Sequence, residues 1–423
     1  MAESTLIVFV CGRRAGTVEQ DNAGLLSFRY DPDYNGIPLS LSMPVSNRTF
    51  PHKVVQPFLF GLLPDDRSVR RSIGLEFGVR SDNPFLLLQN IGFDCPGAVQ
   101  FCLPEQVDGL LGRTAEFEPI DEAAIGRRLA ALRERREDSW LGSQEHWSLG
   151  GNQGKFALAR HGDRWFECHG FAPTTHIFKN GVHGFRLQAL NEFVCMRLAA
   201  RCGLPAAGVS YETFDGEPAI VIERYDRAKL PGGATLRLHQ EDFCQILGIL
   251  PENKYPEYGG PGAADILGVI ASTAKAARNT KLFTAMLFFN YLVGAPDAHA
   301  KNYSLLLGEG CDALVAPLYD IASGLAYDEL RRKARLAMSI GGENRIGHVT
   351  RNSIKRYAEA NDLARFDLGE AACVELMSEL AQAVLDNLAE AFNDAQAAEG
   401  ADELRDRLEE PIAELCRTTL SRL

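Results

Sequence analysis

Apolar and polar positions alternate with two different periods along the chain, and the change of period divides it. Leu6–Cys11 and Leu25–Tyr30 are β-rich runs, and Pro38–Pro44 (PLSLSMP) alternates as a half-buried strand does. Pro57–Asp66 (PFLFGLLPDD) predicts a helix stopped at Pro64, and Ile91–Leu103 turns through Gly92 and Gly97 into a strand. Asp121–Asp138 predicts a helix that Asp121 can cap, with Ile125, Leu129 and Leu132 on one face and an Arg-rich end, RERRED. Lys155–Ala159 and Trp165–Cys168 read as strands around the turn His161–Arg164. His176–Lys179 is a further short strand. The helix Leu187–Cys202 is ended by Gly203 and Pro205. Val209–Phe214 and Ala219–Tyr225 flank Asp215-Gly216, which predicts a hairpin. The remainder is mainly helical: Gln240–Leu247, Ala263–Ala277, the strongly apolar Leu282–Val293, and terminal helices over Ser353–Leu423 with an exposed break at Asp394–Ala401.

A short polar loop, Gly294–Asn302 (GAPDAHAKN), stands between the apolar run Leu282–Val293 and the probable strand Tyr303–Leu307. Asp297 precedes Asn302 by five residues, and Tyr319-Asp320-Ile321 ends a later apolar run, Ala313–Leu318. An Asp, an Asn five residues on and a second Asp past a hairpin follow the plan of the protein kinases. There the first Asp accepts the proton of the acceptor hydroxyl, and the other two hold Mg2+ on the ATP phosphates. Phosphoryl transfer needs positioning and neutralisation of charge more than covalent help, and oxygen ligands suit a hard cation. Asp and Asn also populate ordinary turns, so the spacing alone leaves both readings open.

Upstream, Gly150, Gly151 and Gly154 lie in WSLGGNQGKFALAR, where backbone N–H groups can approach phosphates with no Cβ between. It is no Walker A loop, because Phe156 stands where Ser or Thr is needed, and by itself it reads as an ordinary hairpin turn. Lys179 ends a strand and Glu192 starts into the next helix, the order in which kinases pair a Lys with a Glu over the phosphates. Backbone groups around Glu223 and Tyr225, in AIVIERYDR, occupy the hinge position of that order.

Composition narrows the classes. The 423 residues suffice for two or three domains, and 46% hydrophobic residues supply a large core. A net charge of −12 argues against a broad nucleic-acid-binding surface. No apolar run approaches the roughly 20 residues that span a bilayer, and no export signal opens the sequence. Ten scattered cysteines without a CxxC pair suggest free thiols in a reducing cytoplasm. A basic cluster, RRKAR at 331–335, follows Asp320 where a substrate segment could lie, and reads first as a solvated loop.

In order, WSLGGNQGK, PTTHIFK, VIERYDR, LRLHQEDFCQILG, YGGPG, LVGAPDAHAKNYS and PLYDIAS resemble the HipA-type serine/threonine kinases, the toxins of bacterial type II toxin–antitoxin pairs. LSMP, LLPDD and IGFDCPGAV are similar to the small N-terminal subdomain of that family. The resemblance implies an α+β, bilobal protein-kinase-like fold with an added N-terminal α+β subdomain and a mainly helical C-terminal lobe. The implied divisions are 1–110, then 111–228 with the connecting helix, glycine-rich loop and hinge, then 229–423 with the catalytic and metal-binding loops. It implies ATP- and Mg2+-dependent phosphorylation of a translation protein, such as an aminoacyl-tRNA synthetase, in the cytoplasm. The partner it implies is a DNA-binding helix-turn-helix antitoxin (HipB-like), with DNA met only through it.

Carried over residue by residue, Asp297 is the base, with His299 and Lys301 in its loop near the γ-phosphate, and Asn302 and Asp320 are the Mg2+ ligands. Gly150, Gly151, Asn152, Gln153, Gly154, Lys155, Lys179, Glu223 and Tyr225 would meet ATP, and Ser148 matches the self-phosphorylated serine. Gly154 departs from the best-known members, which carry an acidic residue there. Two other classes remain: a small-molecule phosphotransferase of kinase-like fold, and a catalytically weak corepressor that binds the antitoxin. The intact Asp297, Asn302, Asp320 and Lys179 argue against the second.

Overall fold

The computed structural model describes residues 4–112, 115–134, 140–142, 144–310, 312–333 and 335–423. Two compact units are present: Met1–Asn180 with Glu212–Glu252 and Leu305–Gly310, and Gly181–Tyr211 with Asn253–Ser304 and Cys311–Leu423.

In the first unit the strands Thr49–Pro51, Leu26–Tyr30, Arg13–Gln20, Ser4–Val10 and Val99–Cys102 form an antiparallel sheet in that order. Within Ser4–Val10, Leu6–Val10 is buried on both faces. Leu6, Val8 and Val10 join one apolar cluster while Ile7 and Phe9 join another, as the two-residue period of a strand requires. A second antiparallel sheet orders Glu217–Glu223, His176–Lys179, Phe156–His161, Arg164–Gly170 and Ala115–Ile120. Its inner side chains, among them Phe156, Leu158, Phe178 and Val221, belong to the same continuous cluster as Leu6 and Phe28. The N-terminal subdomain and this sheet therefore share one core.

Several expectations are corrected here. Pro38–Pro44 is not a strand but a tight turn closed by a single bridge between Ser40 and Met43. The backbone groups between its prolines find side chains instead: Leu39 N–H donates to Tyr30 Oη at 2.7 Å and Leu41 N–H to Glu241 Oε1 at 2.7 Å. The predicted helix Pro57–Asp66 is His52–Gly61, with Pro57 inside it, and it ends before Pro64. Gln245 fixes that end, packing on Gly61 and donating to Phe58 O at 3.0 Å. The helix after Asp121 is Glu122–Glu134; Asp121 caps it through Ala124 N–H at 2.7 Å, and 135–138 lie outside the described residues. After Glu223 the chain makes a further hairpin, Arg227–Lys229 with Thr235–Arg237, before any helix. Gln240–Leu247 begins as a strand, Gln240–Asp242, and Asp242 then caps the short helix Phe243–Leu247 by accepting from Gln245 N–H.

The second unit is built on the helix Ala276–Leu292, which starts six residues before the apolar run suggested. It is buried on nearly every side, which is why its sequence shows no polar face. Glu370–Asn393 packs against it and against Gln188–Arg201, Arg351–Ala360 and Ala401–Leu420. The predicted helix Ala263–Ala277 is broken after Ile270. At the break Asn279 Nδ2 donates to Thr273 Oγ1 and Ala313 O, which holds a turn there. The bend after Asn393 is less exposed than its composition suggests, because the Asp394 carboxylate binds Arg197 at 2.8 Å and Arg201 at 2.6 Å. The basic cluster is not a loop: Asp328–Lys333 is helical and Arg335–Ile340 is a strand, with Ala334 outside the described residues. The nine described cysteines are free thiols. Among the described residues no helix is long and apolar enough to cross a membrane.

Candidate active site

In the second unit the polar loop leaves the end of Ala276–Leu292 at Gly294, whose φ of +65° turns the chain sharply. A side chain at 294 would collide with Leu325, so glycine is required twice over. The loop is then clamped from outside. Gly324 N–H donates to Gly294 O at 2.9 Å, and Ala337 N–H, in the strand Arg335–Ile340, donates to Pro296 O at 3.0 Å.

The five-residue spacing closes a small hydrogen-bonded turn. His299 N–H and Asn302 Nδ2 both donate to Asp297 O, at 2.9 and 2.8 Å, and Asn302 N–H donates to His299 O at 2.9 Å. The bond to Asp297 O engages the side-chain amide nitrogen of Asn302. The Asp297 carboxylate is 58% exposed. Its Oδ1 accepts from Tyr255 Oη at 2.5 Å and lies 3.6 Å from His299 Nε2. His299 itself is buried, and burial pushes its imidazole below the ordinary value against the pull of Asp297. Its Nδ1 has no hydrogen-bond partner among the described residues. Lys301 is buried, and its carbonyl accepts from Tyr319 Oη at 2.9 Å, a hydroxyl also 2.6 Å from Ser304 Oγ. Tyr319 thus anchors the segment carrying Asp320 to the loop carrying Asn302.

Asp320 has a φ of +60°, the left-handed region that most side chains avoid and Asp tolerates better than most. On one side of it Leu318 pairs with Pro205 and Ala207. On the other, Ser323 exchanges two hydrogen bonds with the Asn191 side chain, at 2.8 and 2.9 Å. Glu192, next to Asn191, is fully buried.

The other candidates belong to the first unit. Gly150–Gly154 is not the tip of a hairpin, as expected, but an irregular segment bridged at Gly151 to Pro64. Asp65 N–H donates to Gly151 O at 2.9 Å, and Gly151 N–H donates to Asp65 Oδ1 at 3.3 Å. Lys155 folds back, Nζ donating to Gly150 O at 2.8 Å and lying over the Trp140 ring. Asn152 and Gln153 occupy the bend between. Lys179 ends its strand and is buried. Glu223 is exposed at the end of its strand, paired with His176, and Tyr225 Oη donates to Gln240 Oε1 at 2.9 Å.

Ser148 lies outside the bend, 1% exposed, beside the buried Cys95 thiol. Its N–H donates to Asp94 O at 3.0 Å, beside a bridge between Asp94 and Trp147. The Asp94 side chain is the centre of a buried charge cluster that sequence reasoning missed. It receives Arg224, Arg227, Arg237 and Thr174, and Asp226 completes the pairing of Arg224 and Arg227. Burial pushes the Asp94 carboxyl up, but Arg227, Arg237 and Arg224 outweigh it and hold it well below the ordinary range. One signal was present: VIERYDR sets four charged residues, Glu223, Arg224, Asp226 and Arg227, directly after an apolar run. Tyr255 carried no such mark.

Comparison with known proteins bears on both units. Residues 147–394 match the family model of the HipA-like C-terminal domain, and residues 6–102 that of the HipA N-terminal domain. A putative kinase, Y4mE, of Sinorhizobium fredii is 38% identical over 85% of this chain and 86% of its own. The serine/threonine-protein kinase toxin HipA of Shewanella oneidensis is 31% identical over 76% of this chain and 75% of its own. Among solved structures, the S. oneidensis toxin–antitoxin complex of HipA, HipB and operator DNA contains a chain that superimposes with a TM-score of 0.83. That likeness covers 98% of this chain and 97% of the other at 24% identity, and it establishes a shared fold.

Proposed function

The chain belongs to the HipA family of serine/threonine kinase toxins, and from that premise we propose that its target is a protein of the translation machinery, phosphorylated on a hydroxyl with Asp297 as base. The fold is the α+β, protein-kinase-like fold of that family, and the activity is ATP-dependent phosphoryl transfer assisted by a divalent metal. The observation that carries the assignment of the base is the exposed Asp297 carboxylate on a loop clamped by Gly324 and Ala337. Such a group is free to reach an acceptor while its backbone stays put, which is what positioning catalysis requires.

Asn302 Oδ1 and the Asp320 carboxylate are oxygen donors of the kind Mg2+ takes, and the turn engages Asn302 through Nδ2. When bound, Mg2+ neutralises charge on the ATP phosphates. Lys179 is assigned to those phosphates by its place at the end of the strand before the helix carrying Glu192. The acceptor hydroxyl loses its proton to Asp297, its oxygen bonds to the γ-phosphorus, and ADP leaves with the electrons of the broken P–O bond. Self-phosphorylation at Ser148 is the means of switching off. A phosphate adds about −1.5 to −2 charges at pH 7, and Ser148 is 1% exposed, so the modified side chain would carry that charge into a buried position. The modified segment therefore leaves its bridge to Asp94 and takes the glycine stretch with it. A small DNA-binding antitoxin of the HipB kind neutralises the enzyme, as the composition of the S. oneidensis complex suggests.

The test is incubation of wild type and Asp297→Asn with labelled ATP and Mg2+ alongside a bacterial translation extract. Transfer by the wild type to a translation protein, absent in the variant, is the expected result. Equal labelling by both proteins would remove Asp297 from the mechanism.

A further inference from the structure

Tyr255 has no role in the reading above, yet its hydroxyl sits on the candidate base. We propose that Tyr255 is the positioning residue of the transfer step: by donating to Asp297 Oδ1 it presents Oδ2 to the acceptor hydroxyl. The inference rests on the kinase reading of Asp297.

Three features of the second unit support it. The hydrogen bond is short, 2.5 Å from Tyr255 Oη to Asp297 Oδ1, and no hydrogen bond reaches Oδ2 among the described residues. The carboxylate is thereby fixed about its last torsion with one oxygen engaged and the other open on its exposed side. Second, the phenol ring is itself fixed. It meets the buried His299 ring edge-on, with centroids 4.9 Å apart and planes at 81°. Since His299 Nε2 lies 3.6 Å from the same Oδ1, the three side chains form one packed group.

Third, the backbone of Tyr255 is built to hold that place. Its carbonyl accepts from both Tyr258 N–H at 3.0 Å and Gly260 N–H at 2.9 Å, which closes a tight turn. A Cβ on Gly260 would lie 2.8 Å from Tyr255 O, so the turn needs glycine there. The strand Arg335–Ile340 packs against this turn and also donates Ala337 N–H to Pro296 O. One strand therefore braces both partners, the turn of Tyr255 and the loop of Asp297.

In the transfer step the acceptor O–H gives its proton to Oδ2. The acceptor oxygen forms the bond to the γ-phosphorus, and the bond to the β,γ-bridging oxygen breaks with its electron pair leaving on ADP. Tyr255 keeps its own proton throughout. The same hydrogen bond could instead mark Tyr255 as a plug that occupies the acceptor's place, and the two roles give opposite signs on removal of the hydroxyl.

The experiment uses the full chain and Tyr255→Phe, which keeps the ring and its contact with His299. Transfer of labelled phosphate from ATP, to the protein itself and to water, is followed in single turnover over a range of ATP concentrations. Expected is a fall of about tenfold or more in the limiting rate constant. The ATP concentration at half-maximal rate and the melting temperature should stay at their wild-type values. A wild-type or faster rate in Tyr255→Phe would overturn the proposal, the faster rate in favour of the plug. A parallel loss of rate and nucleotide affinity would reduce Tyr255 to a structural residue and overturn it equally. No transfer at all by the wild type, with ATP still bound, would overturn the kinase reading and this inference with it.

Discussion

Asp65 and Gly151 hold one another by two hydrogen bonds, Asp65 N–H to Gly151 O at 2.9 Å and Gly151 N–H to Asp65 Oδ1 at 3.3 Å. The N-terminal subdomain thus grips the glycine stretch by its backbone, and the N–H that would serve a phosphate is engaged by a carboxylate of the same unit. Asp65→Ala removes that competing acceptor and its negative charge while keeping the backbone bond. Nucleotide affinity should rise by about two- to tenfold, the worth of one ordinary hydrogen bond. Calorimetric titration with ATP and Mg2+ measures it; an unchanged or weaker affinity would show that Gly151 N–H never turns to the phosphates.

Asp297→Asn should lower phosphoryl transfer by about a hundredfold or more, because the base is lost. Its melting temperature should stay close to wild type, because the side chain is more than half exposed and an amide oxygen can still accept from Tyr255. Asp320→Asn should instead weaken Mg2+-dependent nucleotide binding. Asn is the suitable probe there, since it tolerates the φ of +60°, whereas Ala would add about 1 kcal/mol of backbone strain. Near-normal turnover in a folded Asp297→Asn protein would exclude it as the base.

Asp94→Ala should destabilise the first unit by about 3–5 kcal/mol, since three buried or half-buried guanidinium groups lose their common partner. Denaturant unfolding reads the change. A loss under 1 kcal/mol would mean that Asp226 and water replace Asp94 fully.

Glu241 gives the fold a pH dependence. Burial pushes its carboxyl up to about 8 from an ordinary 4.5, with Leu41 N–H opposing. In the folded chain it holds a proton that the unfolded chain has released, so its contribution to stability falls as pH rises from about 4.5 to 8 and is level above. Glu241→Gln mimics the protonated form. The variant should match wild type near pH 5 and exceed it by about 1 kcal/mol or more at pH 8. A constant difference between the two proteins across that range would show that Glu241 is ionised in the fold.

Phosphate should appear on Ser148 after incubation with ATP and Mg2+, and be absent from Asp297→Asn and Ser148→Ala. Because Ser148 N–H is bonded to Asp94 O, its release should raise amide hydrogen exchange at residues 147–151 in the modified protein. Stoichiometric modification with unchanged protection and unchanged ATP binding would rule out the switch.

Much of the element order was legible because local signals agree with the tertiary result. His176–Lys179 and Val209–Phe214 fall where the strand pattern puts them. The turn at Asp215-Gly216, with φ of +48° and +83°, is the kind Asp-Gly favours. The failures share a cause. Pro38–Pro44 alternates like a strand, but its polar groups are taken by Tyr30 and Glu241 rather than by a neighbouring strand. Pro57 lies inside a helix because packing of Val55, Phe58 and Leu59 outweighs one missing hydrogen bond. RRKAR at 331–335 reads as a solvated loop, but its first residues end the helix Asp328–Lys333 and Arg335 opens a strand whose Ala337 is bonded to Pro296.

The sequence by itself determined which chemical groups are present and at what local spacing. Asp297 and Asn302 meet because a five-residue spacing lets the Asn302 side chain close a local turn onto Asp297 O, and Gly294 is needed where the chain reverses. Only the tertiary structure decided what each polar group faces. Tyr255 reaches Asp297 across 42 residues, Gly151 reaches Asp65 across 86, and Arg227 reaches Asp94 across 133. Backbone preferences act over a few residues, whereas these pairings depend on how whole sheets and helices pack, and packing is set by the sum of many weak apolar contacts that no single segment encodes.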